Sequence, residues 1–379
     1  MLLKNKPLRF FLNSTLLMLL ISACIPSNDA LIGDPLQEEE VLTTMPQETM
    51  DQTYEKREGI EVIYLAGGCF WGMEKLMQSI PGVVDVVSGY ANGSSDVEPT
   101  YKKVITGVTG YRETVRVEYV PEIISLDAIL FAYFQVIDPT IKNAQGNDIG
   151  TQYQTGIYYL DKASRSTVER IAEIERARHA DFVVEIEALE RFFDAEEYHQ
   201  DYLNKNPYGY CHISPNEIST VSEMIVDPGD YQRPSDAEVS AKLSDLQFRV
   251  TQNDATEMAF QNEYWDNHEP GIYVDIVTGE PLFSSSDKFD SGTGWPSFTK
   301  PMDENTIRLL EDNSLGMRRV EVRSRAGNSH LGHVFYNDPS SPTGTRFCIN
   351  SAALDFISFE EMEKEGYGYL KAHVEDTII

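Results

Sequence analysis

The hydrophobic rhythm of this chain changes once along its length, and that change constrains the fold more than any other feature. From Gly59 onward, β-branched apolar runs alternate with amphipathic stretches. "GIEVIYLAGG", "VVDVVSGYA", Glu113 to Pro121, "TGIYYL" and "FVVEIEAL" read as strands. "CFWGMEKLMQSIPG", "SLDAILFAYFQVID" and "DKASRSTVERIAEIERARHA" read as helices, the second opened by a serine cap and the first closed by Pro81-Gly82. Strands alternating with helices predict an α/β (α+β) sandwich over residues 60–213. Beyond "YGYCHIS" the pattern is lost. Residues 214–233 are polar, carry Pro215, Pro228 and Gly229, and read as a linker. "DAEVSAKLSDLQFRVTQ" then gives a short helical stretch, and from Gly271 come only short strand-like runs: "GIYVDIV", "MRRVEVRS", "LGHVFYN", "TRFCINSAAL". These predict a mainly antiparallel β domain over 234–379. A length of 379 residues suits this multidomain reading.

Nothing in the cysteine count offers a covalent staple. The four cysteines, Cys24, Cys69, Cys211 and Cys348, form no CxxC pair, which argues against a thiolate zinc site and a disulfide scaffold. Packed cores must therefore carry the stability, and 41% hydrophobic residues suffice for them. A formal net charge of −30 excludes phosphate-rich partners, so no nucleic acid is expected.

The N-terminus accounts for Cys24. Lys4, Lys6 and Arg9 lead into "FFLNSTLLMLLI", too short to span a bilayer, which is followed by "ISAC". A branched apolar residue, two small residues and a cysteine resemble a bacterial lipobox. The resemblance implies a signal peptide over 1–23, cleavage before Cys24 and diacylglycerol on its sulfur. The plainer alternative is a secretory signal with a chance cysteine. Residues 24–59, with Pro26, Pro35, Pro46 and Glu38–Glu40, read as a flexible acidic spacer. The chain is then expected outside the cytoplasm, a lipoprotein anchored to a bacterial membrane.

Cys69 sits where a strand gives way to a helix. Backbone N–H groups and the helix dipole are expected to lower a thiol pKa there. Gly67 and Gly68 allow a sharp turn, and Phe70 and Trp71 offer an apolar cup. A buried structural cysteine among core aromatics fits the same local pattern. Cys348 lies in "RFCIN", where a period of two puts Arg346, Cys348 and Asn350 on one face. Arg346 should lower the thiol pKa by its charge. His330 and His333 in "SHLGHVF" and Trp295 in "SGTGWPSF" complete the candidate set. A lone Cys with two His also suits a Cys–His acyl-transfer site.

Taken together, "GCFWG", "PTY" at Pro99–Tyr101, "GYRETV", "QGNDIGTQY" and "NPYGYC" resemble the A-type peptide methionine sulfoxide reductases, from about Glu61 to Ile213. The resemblance implies that Cys69 attacks the sulfoxide sulfur. Glu113 protonates the oxygen, Tyr101 and Tyr153 hydrogen-bond it, and Phe70 and Trp71 hold the methyl group. Asp148 organises the site, Tyr210 stands at the family's tyrosine position before Cys211, and Cys211 condenses with the Cys69 sulfenic acid to a disulfide. The second half, with "RVTQNDATE" and "NEYWDNHEPGIYVD" added to the motifs above, resembles the B-type methionine sulfoxide reductases from about Arg233 to Val374. That resemblance makes Cys348 the nucleophile and packs Trp295 on the methyl. His330, His333, Arg346 and Asn350 form the polar wall that binds and protonates oxygen.

Two departures matter. Segments where many B-type enzymes carry zinc-binding CxxC pairs hold no cysteine here, so no metal is expected. Thr293 stands where a resolving cysteine usually lies. The resemblances imply a two-domain repair enzyme. It would reduce the S-epimer in its first half and the R-epimer in its second, in oxidised proteins and free sulfoxides. No cofactor is bound on this reading, and an extracytoplasmic thioredoxin-like protein supplies the thiols. The alternatives are a surface adhesion or binding lipoprotein and a pair of Cys-dependent acyl transferases.

Overall fold

In the computed structural model of the chain, which describes residues 50–94 and 98–374, strand β1 (Glu61–Ala66) buries both its faces. Ile63 and Leu65 join a cluster shared with the helices. Val62, Tyr64 and Ala66 join a second one with Tyr54, Leu189 and Phe192. Successive strand residues point to opposite faces, so a strand covered on both sides needs an unbroken apolar run, as in "VIYLA". After β1 come α1 (Phe70–Gln78), β2 (Val83–Ala91), α2 (Tyr101–Val104), β3 (Arg112–Tyr119) and α3 (Leu126–Val136). A two-strand ribbon, β4 (Ala144–Gln145) and β5 (Asp148–Ile149), precedes β6 (Gly156–Tyr159), α4 (Lys162–Arg178), β7 (Glu185–Ala188), β8 (Phe192–Asp194) and α5 (Tyr202–Lys205). The sheet order is β7-β6-β1-β3-β2-β8, antiparallel except for β6 against β7.

Helix α1 buries Phe70, Met73, Leu76 and Met77, the spacing of one helical face. The expected serine cap of α3 is present, since the Ser125 hydroxyl accepts the Ala128 N–H. Helix α4 buries only Val168 and Ala172, and an Asp161–Ser164 capping box holds its start. The first half is thus a mixed α/β domain.

The second half is built from antiparallel strands. Short helices α7 (Asp236–Lys242) and α8 (Asp245–Asn253) follow α6 (Pro215–Ser222). Strands β9 (Gly271–Asp275), β10 (Pro281–Ser284), β11 (Lys288–Phe289) and β12 (Ser297–Phe298) come next. They are followed by β13 (Ile307–Asp312), β14 (Arg319–Ser324), β15 (His330–Tyr336), β16 (Thr345–Ile349) and β17 (Leu354–Ser358). They form a three-stranded sheet, β10-β9-β17, and a six-stranded sheet, β11-β12-β16-β15-β14-β13. Between them pack Tyr273, Phe283, Phe298, Phe347 and Ile349. Among the described residues, no helix is long and apolar enough to cross a membrane.

Two expectations about chain flexibility need correction. The signal segment, Cys24 and Glu38–Glu40 lie outside the described residues. The spacer expected to reach residue 59, however, gives way to docked chain by residue 51. Asp51 is fully buried, its carboxylate 2.8 Å from Arg116 Nη1 and 2.9 Å from the Tyr64 hydroxyl that donates to it. Residues 214–233 are likewise no free tether. Helix α6 carries a Ser214–Glu217 capping box and buries Val221. Asp227 accepts the Ser125 N–H at 2.8 Å in the first half, and Asp303 of the second half accepts the N–H groups of Ile225 and Val226 at 2.7 and 3.0 Å. The prolines that suggested a loop start this helix and the short helical turn at Pro228–Asp230, because proline suits a first helical position.

Arg325 locks the same segment from the second half. Its Nε and Nη2 each lie 2.7 Å from Glu280 Oε1, Nη2 donates to the Val226 carbonyl at 2.9 Å, and the guanidinium lies 4.8 Å from the Phe131 ring centroid. Glu280 is fully buried. Burial pushes its pKa up to about 7 and Arg325 opposes that shift. Removing one partner of such a pair strands the other. Arg325→Met is therefore expected to cost about 3–5 kcal/mol. Without Arg325 the folded pKa of Glu280 rises further above about 7, so the extra cost of ionising it in the variant appears as pH rises past that value. Urea unfolding of the variant at pH 5.5 and 8 should show the larger loss at pH 8.

Candidate active sites

The first site begins with glycines that leave room for other residues. β1 ends at Ala66 and α1 starts at Phe70, with Cys69 at its N-cap in extended backbone. Gly68 has φ +86°, the left-handed region that favours glycine. A Cβ there would stand 2.7 Å from Gln145 Cβ and 3.2 Å from His212 Nε2. A Cβ on Gly72 would stand 3.1 Å from Cys211 Sγ and 3.3 Å from His212 Nδ1. The glycines around Cys69 thus admit the Cys211–His212 segment. Cys211 Sγ already lies over the first turn of α1 without a large swing. Cys69, Cys211 and Cys348 are all free thiols.

The expectation of a depressed Cys69 pKa is overturned. Burial, with the Glu113 carboxylate next, holds the thiol well above its ordinary value, and the backbone amides of Trp71 and Gly72 only partly oppose this. Glu113 on β3 is 1% exposed and accepts the Phe70 N–H at 3.2 Å. Burial pushes its pKa up to about 8, with Asp148 adding to the shift, so the carboxyl is largely protonated at neutral pH. An acid and a thiol that both hold their protons in a dry site can hand oxygen a proton as sulfur attacks. Burial, followed by Glu113, raises the phenols of Tyr101 and Tyr153, which stay neutral hydrogen-bond donors.

The aromatic cup divides in two. Phe70 is buried in the core, its ring 5.9 Å from Tyr90 and 4.9 Å from His199, whereas Trp71 is partly exposed and forms wall. Trp71 stacks on Tyr202 at 3.7 Å, and its indole N–H donates to His199 Nδ1 at 3.1 Å. Glu196 accepts the Tyr101 N–H at 2.9 Å and the Tyr90 hydroxyl at 2.8 Å. The Tyr210 hydroxyl donates to Asp148 at 3.3 Å. Glu196, His199, Tyr202 and His212 escaped the sequence reading. The signal was a histidine among aromatic and acidic residues in "EEYHQDY", a pattern without a spacing rule.

The second site is a row across one sheet face. Ser297, Cys348 and His333 are direct cross-strand partners on β12, β16 and β15. His330 and His333 are an odd number apart and would face opposite ways on a regular strand. A bulge in β15, where Gly332 pairs with Val322 and His330 with Arg323, turns both to one face, with ring centroids 5.6 Å apart. A cavity beside them is lined by Thr256, Trp295, Arg319, His333, Cys348 and Asn350, among others. Each histidine has a carboxylate partner: His330 Nδ1 lies 2.6 Å from Glu321, and His333 Nε2 lies 2.8 Å from Asp312. Burial lowers the His333 pKa although Asp312 opposes it.

Arg346 sits beside the thiol as expected, but burial outweighs it and the Cys348 pKa is raised. The Thr293 hydroxyl hydrogen-bonds the same thiol. Asn350 lines the cavity, yet its carboxamide is engaged on backbone, accepting the Glu257 N–H at 3.1 Å and donating to the Leu331 carbonyl at 2.9 Å. Glu257, also unforeseen, accepts the N–H groups of Ser351 and Ala352, and its carbonyl accepts the Trp295 indole N–H at 3.3 Å. Among the described residues, Asp254, Glu321 and His330 stand close enough to share an ion, but Arg323 Nη1 lies 2.7 Å from both carboxylates and already occupies the place of a cation between them.

A buried thiol beside a carboxylic acid and a half-buried thiol near two histidines suit thiol-dependent redox chemistry. Residues 61–226 match the family model of peptide methionine sulfoxide reductase, and residues 243–358 match the SelR domain. Among solved structures, Mxr1 of Saccharomyces cerevisiae in reduced form is 35% identical, covering 44% of this chain and 98% of that one, with a TM-score of 0.41. Methionine sulfoxide reductase A of Corynebacterium diphtheriae is 37% identical, covering 42% of this chain and 81% of that one, with a TM-score of 0.39. The chain belongs to the peptide methionine sulfoxide reductase family and joins that module to a SelR module. It thereby combines the two methionine sulfoxide reductase activities in one polypeptide.

Glu113 loses its proton as pH rises through about 8. Sulfoxide reduction at Cys69 should therefore fall above that pH. Glu113→Gln should reduce the single-turnover rate by about 10²–10⁴ and abolish this alkaline decline. Rapid-quench assays from pH 6 to 10 would check both.

Proposed function

We propose that the chain is a membrane-tethered, extracytoplasmic repair enzyme in which Cys69 reduces the S-epimer of methionine sulfoxide and Cys348 the R-epimer. The observation that carries it is the buried, protonated Glu113 beside the Cys69 helix N-cap. Sulfoxide oxygen leaves sulfur only when protonated, and this site stores the proton next to the nucleophile. Cys69 sulfur attacks the sulfoxide sulfur while Glu113 gives oxygen its proton, with Tyr101 and Tyr153 as hydrogen-bond donors. The thiol proton restores Glu113, oxygen passes to Cys69 as a sulfenic acid, and methionine leaves. Trp71, held by His199 and Tyr202, would form the methyl-binding wall.

In the second half, Cys348 would attack in the same way. His330 and His333 supply the proton, Trp295 packs on the methyl and Arg346 favours the thiolate. The engaged carboxamide of Asn350 supports a positioning role for it.

Resetting would differ between the halves. Cys211 condenses with the Cys69 sulfenic acid, and the resulting disulfide passes to a thioredoxin-like protein. Thr293 replaces a resolving thiol beside Cys348, so an outside thiol meets that sulfenic acid directly. The anchoring of residues 213–227 supports this, since Cys211 would have to strip Ile213 and α6 from their packing to reach elsewhere. The lipobox-like "ISAC" after a basic lead and an apolar run supports a lipid on Cys24.

Cys69→Ser is expected to abolish reduction of the S-epimer and spare the R-epimer, and Cys348→Ser to do the reverse, measured by chiral chromatography of free methionine sulfoxide with dithiothreitol. Loss of both activities from one substitution in a folded chain would sink the division. Labelled fatty acid should enter the wild-type chain in a bacterial host and not Cys24→Ala.

A further inference from the structure

The ring of His212 lies over the turn that carries Cys69, and nothing above gives it work. Its Nε2 is 2.9 Å from the Gly67 carbonyl, which can only accept, so Nε2 carries the hydrogen in the neutral ring. Nδ1 is then a bare acceptor. It is buried and has no hydrogen-bond donor in the structure. A buried polar atom left unpartnered carries a desolvation cost and calls for a reason. Two neighbours supply one. Nδ1 and Cys211 Sγ share the small space over Gly72, 3.3 and 3.1 Å from the position a Cβ would take there. The Asp148 carboxylate lies 3.8 Å from Nδ1, close enough to stabilise a proton arriving on it. The charged groups facing the ring are Asp148 from β5 and Glu217 from α6. Cys211 is its chain neighbour, and Tyr210 reaches it through Asp148. Both carboxylates favour the imidazolium, whereas burial favours the neutral ring.

From this geometry we propose that His212, backed by Asp148, is the base that takes the Cys211 thiol proton when the disulfide with Cys69 forms. Cys211 Sγ gives its proton to Nδ1 and attacks the sulfur of Cys69–SOH. The S–S bond forms as the S–O bond breaks. The departing oxygen collects the proton from Nδ1 and leaves as water. The sum is Cys69–SOH plus Cys211–SH to disulfide plus water, with no further oxidant or reductant. A base is needed because the Cys211 thiol is itself half-buried and its pKa is raised by burial. The arrangement follows the logic of other activated nucleophiles, a base beside the thiol and a carboxylate behind the base.

The proposal rests on the sulfoxide-reductase reading only for the origin of Cys69–SOH, and the test separates the two. The full chain and His212→Gln are mixed in single turnover with the methionine S-sulfoxide. In parallel, both are oxidised with one equivalent of hydrogen peroxide, which makes the sulfenic acid without any sulfoxide. Methionine release reports the reductase reading. Dimedone trapping of Cys69 and loss of free Cys211 report the disulfide step. In the variant, Cys69–SOH should accumulate and disulfide formation should slow by about 10²-fold. Its rate should keep climbing with pH into the thiol range, while that of the wild-type chain levels off above the imidazole range. An unchanged rate would overturn the proposal. A slowdown equal at every pH would overturn it as well, because His212 would then only position Cys211.

Discussion

The close approach of Cys211 and His212 to the backbone of Gly68 and Gly72 is the contact on which the first site depends. It requires two missing Cβ atoms, since one on Gly68 would strike Gln145 and one on Gly72 would press on both Cys211 and His212. Once these residues are admitted, the rest is constrained. Ile213 is buried, α6 starts four residues after Cys211, and α6 packs near α1. Cys211 therefore sits over α1 at the point where the chain leaves the first domain.

The two halves solve one chemical problem with different polar groups. Each holds a thiol whose burial raises its pKa, so neither is a standing thiolate at neutral pH. The first half places a buried carboxylic acid nearby, made available at neutral pH by desolvation. The second places two histidines, one bonded to Glu321 on β14 and the other to Asp312 on β13. A helix N-cap positions the first thiol, and a row across three antiparallel strands positions the second. Neither arrangement requires the other, consistent with separate duties for the two sites. What couples the halves is mechanical: Asp227, Asp303 and Arg325 hold the connecting segment from both sides.

Much of this was legible from residues alone, for identifiable reasons. Long periodic segments such as Leu126–Val136 and Lys162–Arg178 carry both a hydrophobic face and a capping residue, so two independent signals agree. The strands at Ile307–Asp312 and Leu354–Ser358 were less visible, because edge positions and mixed exposure blur the alternation. Residues 214–233 misled for a related reason. Proline and polar residues signal loops in general, but at the first turn of a capped helix they serve the helix. The expected pKa directions failed at Cys69 and Cys348, since helix position and charge pattern are visible in sequence whereas the depth of burial is not.

The residues that escaped notice share a physical feature: their partners lie far away in sequence. His199 meets Trp71 from 128 positions downstream, Glu257 meets Ser351 from 94 upstream, and His212 meets Gly67 from 145 downstream. A motif reports residues near one another on the chain, so it finds the nucleophile and its immediate neighbours. Groups that orient those neighbours arrive through topology. The β15 bulge makes the same point from the other side. His330 and His333 were both named from sequence, but their odd spacing predicts opposite faces, and only the extra residue at Leu331 brings the rings together. A one-residue irregularity in pairing therefore decides whether two visible histidines belong to a single site.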